Sequence, residues 1–436
     1  MTRLSLAPVS SSRYRLGLLV ALLPWILAGC ATPGGVCTPS EPFQTRVERQ
    51  HRSGLVVEAV ALSRCESEAT FGVALNDINV QPVWLKIENF REDPHWLFPI
   101  AIDNDYFPTY EVARRASALG GDSVDDLYER FRDQEMKWFV PPEATVSGFV
   151  FAHSDEGLKA FNVQLVGSHA VDLFSFVVQV PGLPTTYFDV DEAVRSHQAA
   201  APNLNAEAFQ EWLRRSDCCA VDVRGAPGDP LNIVFVGSLD RLRSALISRH
   251  WDVTAPVDEA SLRRMVSAFL FGSRFRYAPI SSLFVFGREQ DLSFQKSRAI
   301  IDERNHMRLW LAPVRFEGRA VWLGQVSRDV GIKLSGRLWP PTTHVIDPDV
   351  DDARFYVLQD MLAGGLIEKV GFVQGQRPAD VSSPHHNAEH DPYFTDGLRN
   401  VFVLSRRQVK PSEIQLLDWE LPSVMEPFRG FYLRRE

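Results

Sequence analysis

Three neighbouring segments decide how the second half of this chain folds. They read R-N-H-M-R-L-W-L at Arg304–Leu311, W-L-G-Q-V-S-R-D-V-G-I at Trp322–Ile332 and T-H-V-I-D-P-D-V-D-D-A-R-F-Y at Thr343–Tyr356. In each segment an apolar strand pattern ends in, or alternates with, a His, Asp or Arg. Ionisable side chains that converge in one cleft are typical of functional sites, so the stretch predicts a site without identifying a reaction.

Length and charge bound the kind of protein. The 436 residues exceed what one ordinary hydrophobic core organises, which predicts two domains. Apolar residues make up 45% and charged residues 23%, the proportions of a folded globular chain. The formal net charge of -9 argues against nucleic-acid binding, because a protein that binds phosphates needs a basic face.

The amino terminus has the pattern of an exported lipoprotein. A basic segment precedes the apolar stretch Leu16–Ile26, and Leu27-Ala28-Gly29-Cys30 then matches a bacterial lipobox. The alternatives are an ordinary signal peptide and a short membrane anchor, although the apolar run is too short to span a bilayer. We therefore predict lipidation at Cys30 and a periplasm-facing anchor in the cell envelope. Because Ala31 follows the Cys, resemblance to enterobacterial sorting rules favours the outer membrane.

Export would place the remaining four cysteines in an oxidising compartment, where disulfides form. The pairing that we expect is Cys37 with Cys65, which would tie the tether to an early strand. Cys218 and Cys219 are adjacent, and three possibilities stay open for them: a disulfide between neighbours, two buried thiols, or bridges to separate partners.

The order of elements predicts an α+β protein. Residues 1–29 are the predicted signal peptide and 30–53 the tether. In residues 54–195, strands and turn signals predict an antiparallel β-sandwich with a helical insert. Residues 196–228 form a linker with one helix and the Cys pair. In residues 229–436, strands and helices alternate irregularly, which predicts a two-layer α/β domain with a mixed sheet.

His306 and Arg308 are two residues apart on a predicted strand, so both side chains point to the same face, away from their apolar neighbours. With the apolar face on the core, this pair would face a cleft or solvent. An arginine binds an anion in a bidentate fork and a neutral imidazole accepts a proton, so the pair suits an anionic ligand. The competing interpretation is an exposed strand face without a role.

Acidic residues follow in two places. Asp329 comes after a predicted strand end, where it could orient a histidine, hold a metal or only cap a turn. The run from His344 to Asp352 is the densest cluster of hard ligands, and its candidates for a divalent metal are His344, Asp347 and Asp349. A local explanation competes, because Asp349 suits a helix N-cap and Asp352 the first turn. Arg354 then lies in reach of an acidic partner on the same helix.

Four motifs in one order resemble the LssY C-terminal domain family over residues 229–405: G-D-P-L-N-I-V-F-V-G, R-N-H-M-R-L-W, W-L-G-Q-V-S-R-D-V-G-I and T-H-V-I-D-P-D-V-D-D-A-R. Q-P-V-W-L-K-I-E-N and D-N-D-Y-F-P are similar to the first part of lipoproteins that carry this domain. The domain also occurs at the C-terminal end of membrane proteins that contain DedA-type and phosphatidic acid phosphatase regions. By analogy, this association implies an envelope-lipid setting. Those regions are not recognised here, so their activity is not carried over.

No motif of the common sequence-readable enzyme classes occurs in the chain. We therefore expect a lipid-anchored envelope protein with a binding or assembly role toward an envelope protein or lipid. The alternative is a hydrolase of a phosphate- or ester-bearing envelope lipid. Its residues would be His306 or His344 as base, Arg308 as anion clamp, and Asp329, Asp347 or Asp349 as orienting or metal-binding carboxylates.

Overall fold

A computed structural model describes residues 39, 41–119, 122–155, 157–168, 170–181, 201–254, 282–297, 304–334, 342–388 and 390–432. The predicted lipidation site Cys30, the predicted disulfide partner Cys37 and the helix predicted at 258–272 lie outside these residues. Within them, no helix combines the length and apolar character needed to cross a membrane.

The helices are α1 Arg64–Phe71, α2 Thr109–Ser117, α3 Val124–Arg132, α4 Ala206–Arg215, α5 Leu239–Ile247, α6 Val350–Gly364 and α7 Arg429–Tyr432. The strands of the first domain are β1 Glu48–Arg52, β2 Leu55–Ala61, β3 Val80–Asn89, β4 His95–Leu97, β5 Phe139–Val140, β6 Thr145–His153, β7 Gly157–Val166 and β8 Val171–Val180. The later strands are β9 Asn203–Leu204, β10 Cys219–Val221, β11 Pro227–Pro230, β12 Ile233–Val236, β13 Asp252–Val253, β14 Phe284–Val285, β15 Arg288–Glu289, β16 Leu292–Ser297, β17 Arg304–Phe316, β18 Arg319–Leu334, β19 Thr342–Ile346, β20 Ile367–Gln374, β21 His385–His386, β22 Pro392–Tyr393, β23 Leu398–Leu404 and β24 Gln415–Leu416.

The first domain has the predicted antiparallel, sandwich-like architecture. One sheet has the order β1-β2-β3-β6 and the other the order β5-β4-β7-β8. Side chains from both sheets, such as Val57, Leu85 and Phe161, share one core. The predicted helical insert forms α2 and α3, which pack through Val112 and Phe131 into a separate aromatic-rich cluster with β6. The insert therefore adds its own layer to the sandwich.

The second domain is built on the predicted mixed sheet, whose main path runs β13-β16-β17-β18-β12-β23-β20-β24. Strand β12 reads I-V-F-V and is buried at all four positions, as expected for the centre of a sheet covered on both faces. It pairs antiparallel with β18 and parallel with β23. The carboxyl ends of β12 and β23 therefore lie side by side.

Helices cover both faces of this sheet. On one face, α5 and α6 pack through residues such as Leu242 and Val357 into a core that also contains Val177 of the sandwich. On the other face, α4 packs through Phe209 and Leu213. The sequence placed α4 in the linker, but its amphipathic face completes the core of the second domain.

The hairpin of β17 and β18 is longer than the sequence indicated. Asp329 was expected to follow a strand end, and this was wrong because β18 continues to Leu334. Beyond Asp329 the strand exchanges its partner, pairing with β19 after a register shift between Asp329 and Gly331. The polar residues in this part of β18 obscured the strand pattern, although they form one of its two faces.

Candidate functional site

The central hairpin of the second domain presents a polar face on neighbouring strands. His306 on β17 lies directly opposite Ser327 on β18, and Arg308 lies opposite Gln325. Because alternate side chains of a strand share a face, Asp329 points to the same side as Ser327. Met307 and Val326, on the other side, belong to the apolar core. The hairpin thus separates a polar face from an apolar one.

The predicted residues His306, Arg308 and Asp329 come together on this polar face. Their exposed fractions are 6%, 4% and 1%, so the exposed strand face considered as an alternative does not form. Buried ionisable groups are costly unless they are paired and hydrogen-bonded. The partners of these side chains therefore decide what the site can do.

A chain of close contacts joins a serine, a histidine and an aspartate. His306 Nε2 lies 2.9 Å from Ser327 Oγ. On the other side of the ring, His306 Nδ1 lies 3.1 Å from Asp329 Oδ1. The Nδ1–Oδ1 contact is within ion-pair distance but is not aligned as a hydrogen bond. The order of the three groups is that of a serine nucleophile, in which a carboxylate lies beside the imidazole and Nε2 accepts the hydroxyl proton.

Asp229 on β11 provides a second acceptor for the same serine. Its Oδ2 accepts hydrogen bonds of 2.9 Å from Ser327 Oγ and from Gln325 Nε2. Its Oδ1 accepts one of 2.9 Å from Asn387 Nδ2. Ser327 has one hydroxyl proton and the Asp229 carboxylate can only accept, so His306 Nε2 takes this proton only when Asp229 releases it. Asp229 has other donors and can release it.

The side chains joined by these contacts form a group that we call the serine cluster: Ser327, His306, Asp329, Asp229, Gln325 and Asn387. Two arginines balance its two carboxylates. Arg304 Nε donates to Asp329 Oδ2 at 3.1 Å, with both side chains buried. Burial lowers the pKa of Arg308 to about 10, although Asp229 and Asp329 oppose the shift. The guanidinium is still charged at neutral pH. The formal charges of Arg304, Arg308, Asp229 and Asp329 cancel, so an anion formed during a reaction is stabilised where it lies nearer to the guanidinium groups than to the carboxylates.

Tyr393 lies near enough to the cluster for the charge of Asp229 to act on its phenol. Burial, helped by the negative charge of Asp229, raises the pKa of the Tyr393 phenol to about 12. Its oxygen lies 3.8 Å from Cys219 Sγ. Cys219 forms a disulfide with Cys218, the first of the three possibilities left open by the sequence. Cys65 is also disulfide-bonded, and its partner is not among the described residues, so the pairing with Cys37 stays a prediction.

The remaining predicted site residues on α6 make contacts within this helix or with segments next to it. Arg354 is buried and binds Asp396 in a bidentate pair at 2.6 and 2.8 Å, with Asp351 at 3.3 Å. Asp349 caps α6 by accepting from the Asp351 N–H, which supports the local explanation for that residue. Asp352 is exposed in the first turn of the helix. None of these contacts joins the serine cluster.

The predicted metal ligands are only partly described. Asp347 Oδ1 accepts a 3.1 Å hydrogen bond from the Asp349 N–H, and its Oδ2 lies 3.8 Å from the Arg328 guanidinium. His344 lies on β19 opposite Ile332, but its side chain is outside the described residues. No group of three or more His, Cys, Asp or Glu side chains in the described part of the chain could hold a metal ion. A metal at His344, Asp347 and Asp349 stays a prediction.

Sequence reasoning missed four residues of the cluster, Ser327, Gln325, Asp229 and Asn387. A signal existed for two of them, because Gln325 and Ser327 alternate with apolar Val326 and lead to Asp329 in steps of two. No local pattern indicates Asp229 or Asn387. They reach the hairpin from β11 and from the segment after β21.

Comparison with known protein families covers the same region. Residues 216–398 match the model of the LssY C-terminus family. The predicted resemblance is confirmed for the C-terminal domain, which this family model matches. The matched residues include the complete serine cluster and stop at the first residue of β23. No curated protein matches the chain.

Proposed function

We propose that the C-terminal domain is a hydrolase in which Ser327 is the nucleophile, His306 its general base and Asp329 the carboxylate that orients the imidazole. The observation that carries the proposal is the chain of 2.9 and 3.1 Å contacts through His306. The sequence-based alternative of a His, Arg and Asp site thus gains a nucleophile. An ester of an envelope lipid is the substrate class that suits it.

The proposed reaction assigns each step to one side chain. Ser327 Oγ forms a bond to the ester carbonyl carbon while its proton moves to His306 Nε2. The carbonyl oxygen takes the negative charge, and the Arg308 guanidinium stabilises it. The alcohol leaves with the proton from His306. Water then hydrolyses the acyl-serine by the same proton transfers in reverse and restores the hydroxyl.

Labelling with a fluorophosphonate probe tests this proposal, because the probe forms a covalent bond only with an activated serine. The full chain should be labelled at Ser327, identified by peptide mass spectrometry. Labelling should disappear in Ser327→Ala and fall at least about a hundredfold in His306→Ala, since general-base assistance contributes a factor of that order. Ser67, equally buried but without an imidazole contact, provides the matched control Ser67→Ala.

A binding or assembly role is the second candidate, and the burial of Ser327 favours it. Its exposed fraction is 0%, whereas a nucleophile must be reached by its substrate. In that case the network would stabilise the fold. Unlabelled wild-type protein, together with a lower free energy of unfolding in Ser327→Ala, would support this role and overturn the hydrolase.

The lipobox at residues 27–30 supports the proposed setting, a lipid anchor at Cys30 in the cell envelope that faces the periplasm. Envelope proteins or lipids are the partners that this setting offers. Metabolic labelling with a radioactive fatty acid tests the anchor. Label should enter the wild-type chain and be absent from Cys30→Ser, and equal labelling of both would contradict the anchor.

A further inference from the structure

A pocket of about 330 Å³ lies between the two domains, at the opposite end of β12 from the serine cluster. The first domain contributes the turn after β1 and the beginning of β8. The second domain contributes the start of α5, Leu366 and the segment Ser405–Gln408, which follows β23. Neither the family match nor the proposed reaction assigns a role to this pocket.

The pocket is strongly basic in a chain that is acidic overall. Its lining includes Arg52, Arg241, Arg406 and Arg407 against the single carboxylate of Asp240, which leaves three net positive charges. The whole chain has a formal net charge of -9. In the part of the chain that the structure describes, no carboxylate forms an ion pair with any of these four guanidinium groups. The cluster therefore has an excess of positive charge.

The fold places this cluster where α/β proteins bind ligands. Parallel strands β12 and β23 both end at the pocket, and ligands of open α/β sheets bind outside the carboxyl ends of such strands. The strands end close together because Gly237 has no side chain, since a Cβ there would lie 2.9 Å from Leu404 Cβ. The polypeptide then turns directly into α5.

The amino end of α5 adds hydrogen-bond donors to the pocket. Its N-cap residue Ser238 lines the pocket and makes no side-chain hydrogen bond to the helix. The first backbone N–H groups of a helix have no partner within it, and together with the helix dipole they favour an anion. Nine residues make α5 long enough for this effect.

Arg241 is unfavourably placed unless an anion binds. It occupies the first turn of α5, where the dipole favours acidic residues and disfavours a cation. Burial and the nearby charges of Arg406, Arg319 and Arg52 lower its pKa, against Glu368, which raises it. A residue that disobeys a local preference, as Arg241 disobeys the preference for acidic residues in the first turn, occurs mainly at functional sites. A bound anion would remove both penalties.

We infer that this pocket binds a phosphate monoester, which brings two negative charges to the four guanidinium groups and the amino end of α5. Val171, Leu173 and Leu366 form an apolar wall beside the cations. The group esterified to the phosphate packs against this wall. A glycerophosphate headgroup of a lipid and a free phosphate ester share this chemistry.

Isothermal titration calorimetry of the full chain tests the site with three probes: inorganic phosphate, glycerol 3-phosphate and dihexanoyl phosphatidic acid. All three should bind, and Arg241→Gln and Arg406→Gln should each weaken binding by about tenfold, the loss expected for one charge-assisted hydrogen bond. Tighter binding of the short-chain lipid than of glycerol 3-phosphate identifies a lipid headgroup as the ligand. Equal affinities identify a free phosphate ester.

Arg114→Gln is the matched control, because it removes one exposed arginine from α2, outside the pocket lining. It should bind all probes as the wild type does. Exposed Arg406 is the safer of the two test positions for folding, which circular dichroism checks for each variant. No binding of any probe, or unchanged binding in a folded Arg406→Gln protein, would overturn the site. Fluorophosphonate labelling is independent of either result.

Discussion

At the amino end of β12, Arg304 and Arg308 are buried beside the carboxylates of Asp329 and Asp229. At the carboxyl end of the same strand, Arg241 and its neighbours line a pocket that contains one carboxylate. Desolvation explains the difference, because a guanidinium that is removed from water needs compensating partners such as a carboxylate, whereas at an open pocket water solvates it. Charge is compensated at the closed, amino end of β12. Positive charge is in excess at the open, carboxyl end, where we propose that an anion binds.

The largest expected effect comes from removing a carboxylate that compensates a buried arginine at the closed end. Asp329→Ala leaves Arg304 buried without its carboxylate and should lower the free energy of unfolding by about 3–5 kcal/mol. Asp240→Ala, the matched change at the open pocket, removes an exposed carboxylate from a helix start and should cost less than about 1 kcal/mol. Urea denaturation measures both. Equal losses would mean that the two ends do not differ in this way.

A smaller effect follows from removing a donor and leaving the charges unchanged. Asn387→Ala takes away the hydrogen bond to Asp229 Oδ1 and leaves a buried acceptor unsatisfied, which should cost about 1–3 kcal/mol. Gln408→Ala is its counterpart at the pocket, where the exposed amide is replaced by water. The same urea titrations should show a change within about 0.5 kcal/mol for Gln408→Ala. A larger loss from Gln408→Ala than from Asn387→Ala would contradict the comparison.

The smallest effect appears only at alkaline pH. The pKa of Tyr393 is about 12 in the folded protein and about 10 for an ordinary tyrosine. The unfolded chain thus loses this proton first, so the contribution of Tyr393 to stability is complete below pH 10 and disappears as the pH rises toward 12. Tyr393→Phe should lose less stability than the wild type between about pH 10 and 12, as measured by urea denaturation. If the wild type and Tyr393→Phe lost the same free energy of unfolding over this pH range, burial would not be what holds the phenol neutral.

The sequence predicted the polar face of the hairpin better than its surroundings. Because side chains of a strand alternate between its two faces, the separation of two residues was enough to predict that His306 and Arg308 lie on one face. Burial of that face could not be counted, since it depends on residues that approach from distant parts of the chain, such as Asn387, which donates a hydrogen bond to Asp229 and follows Arg308 by 79 residues. For the same reason Asp229 was seen only as part of a turn and a family motif.

The architecture was predictable to a similar extent. The helix predicted in the linker forms as α4, Ala206–Arg215, but a local sequence pattern does not reveal against which sheet a helix packs. The anion pocket was not predicted at all. Its four arginines come from three separate places in the chain, and Arg241 meets Arg406 and Arg407 because β12 and β23 are parallel neighbours.

The position of β23 has a practical consequence for anyone who expresses the second domain alone. The family match stops at residue 398, yet β23 runs from Leu398 to Leu404 between β12 and β20 in the middle of the sheet. A fragment cut at the match would expose the edges of two apolar strands, which invites aggregation. A fragment that also keeps α4 and β24, from about residue 201 to the end of the chain, retains the sheet and both of its covering layers.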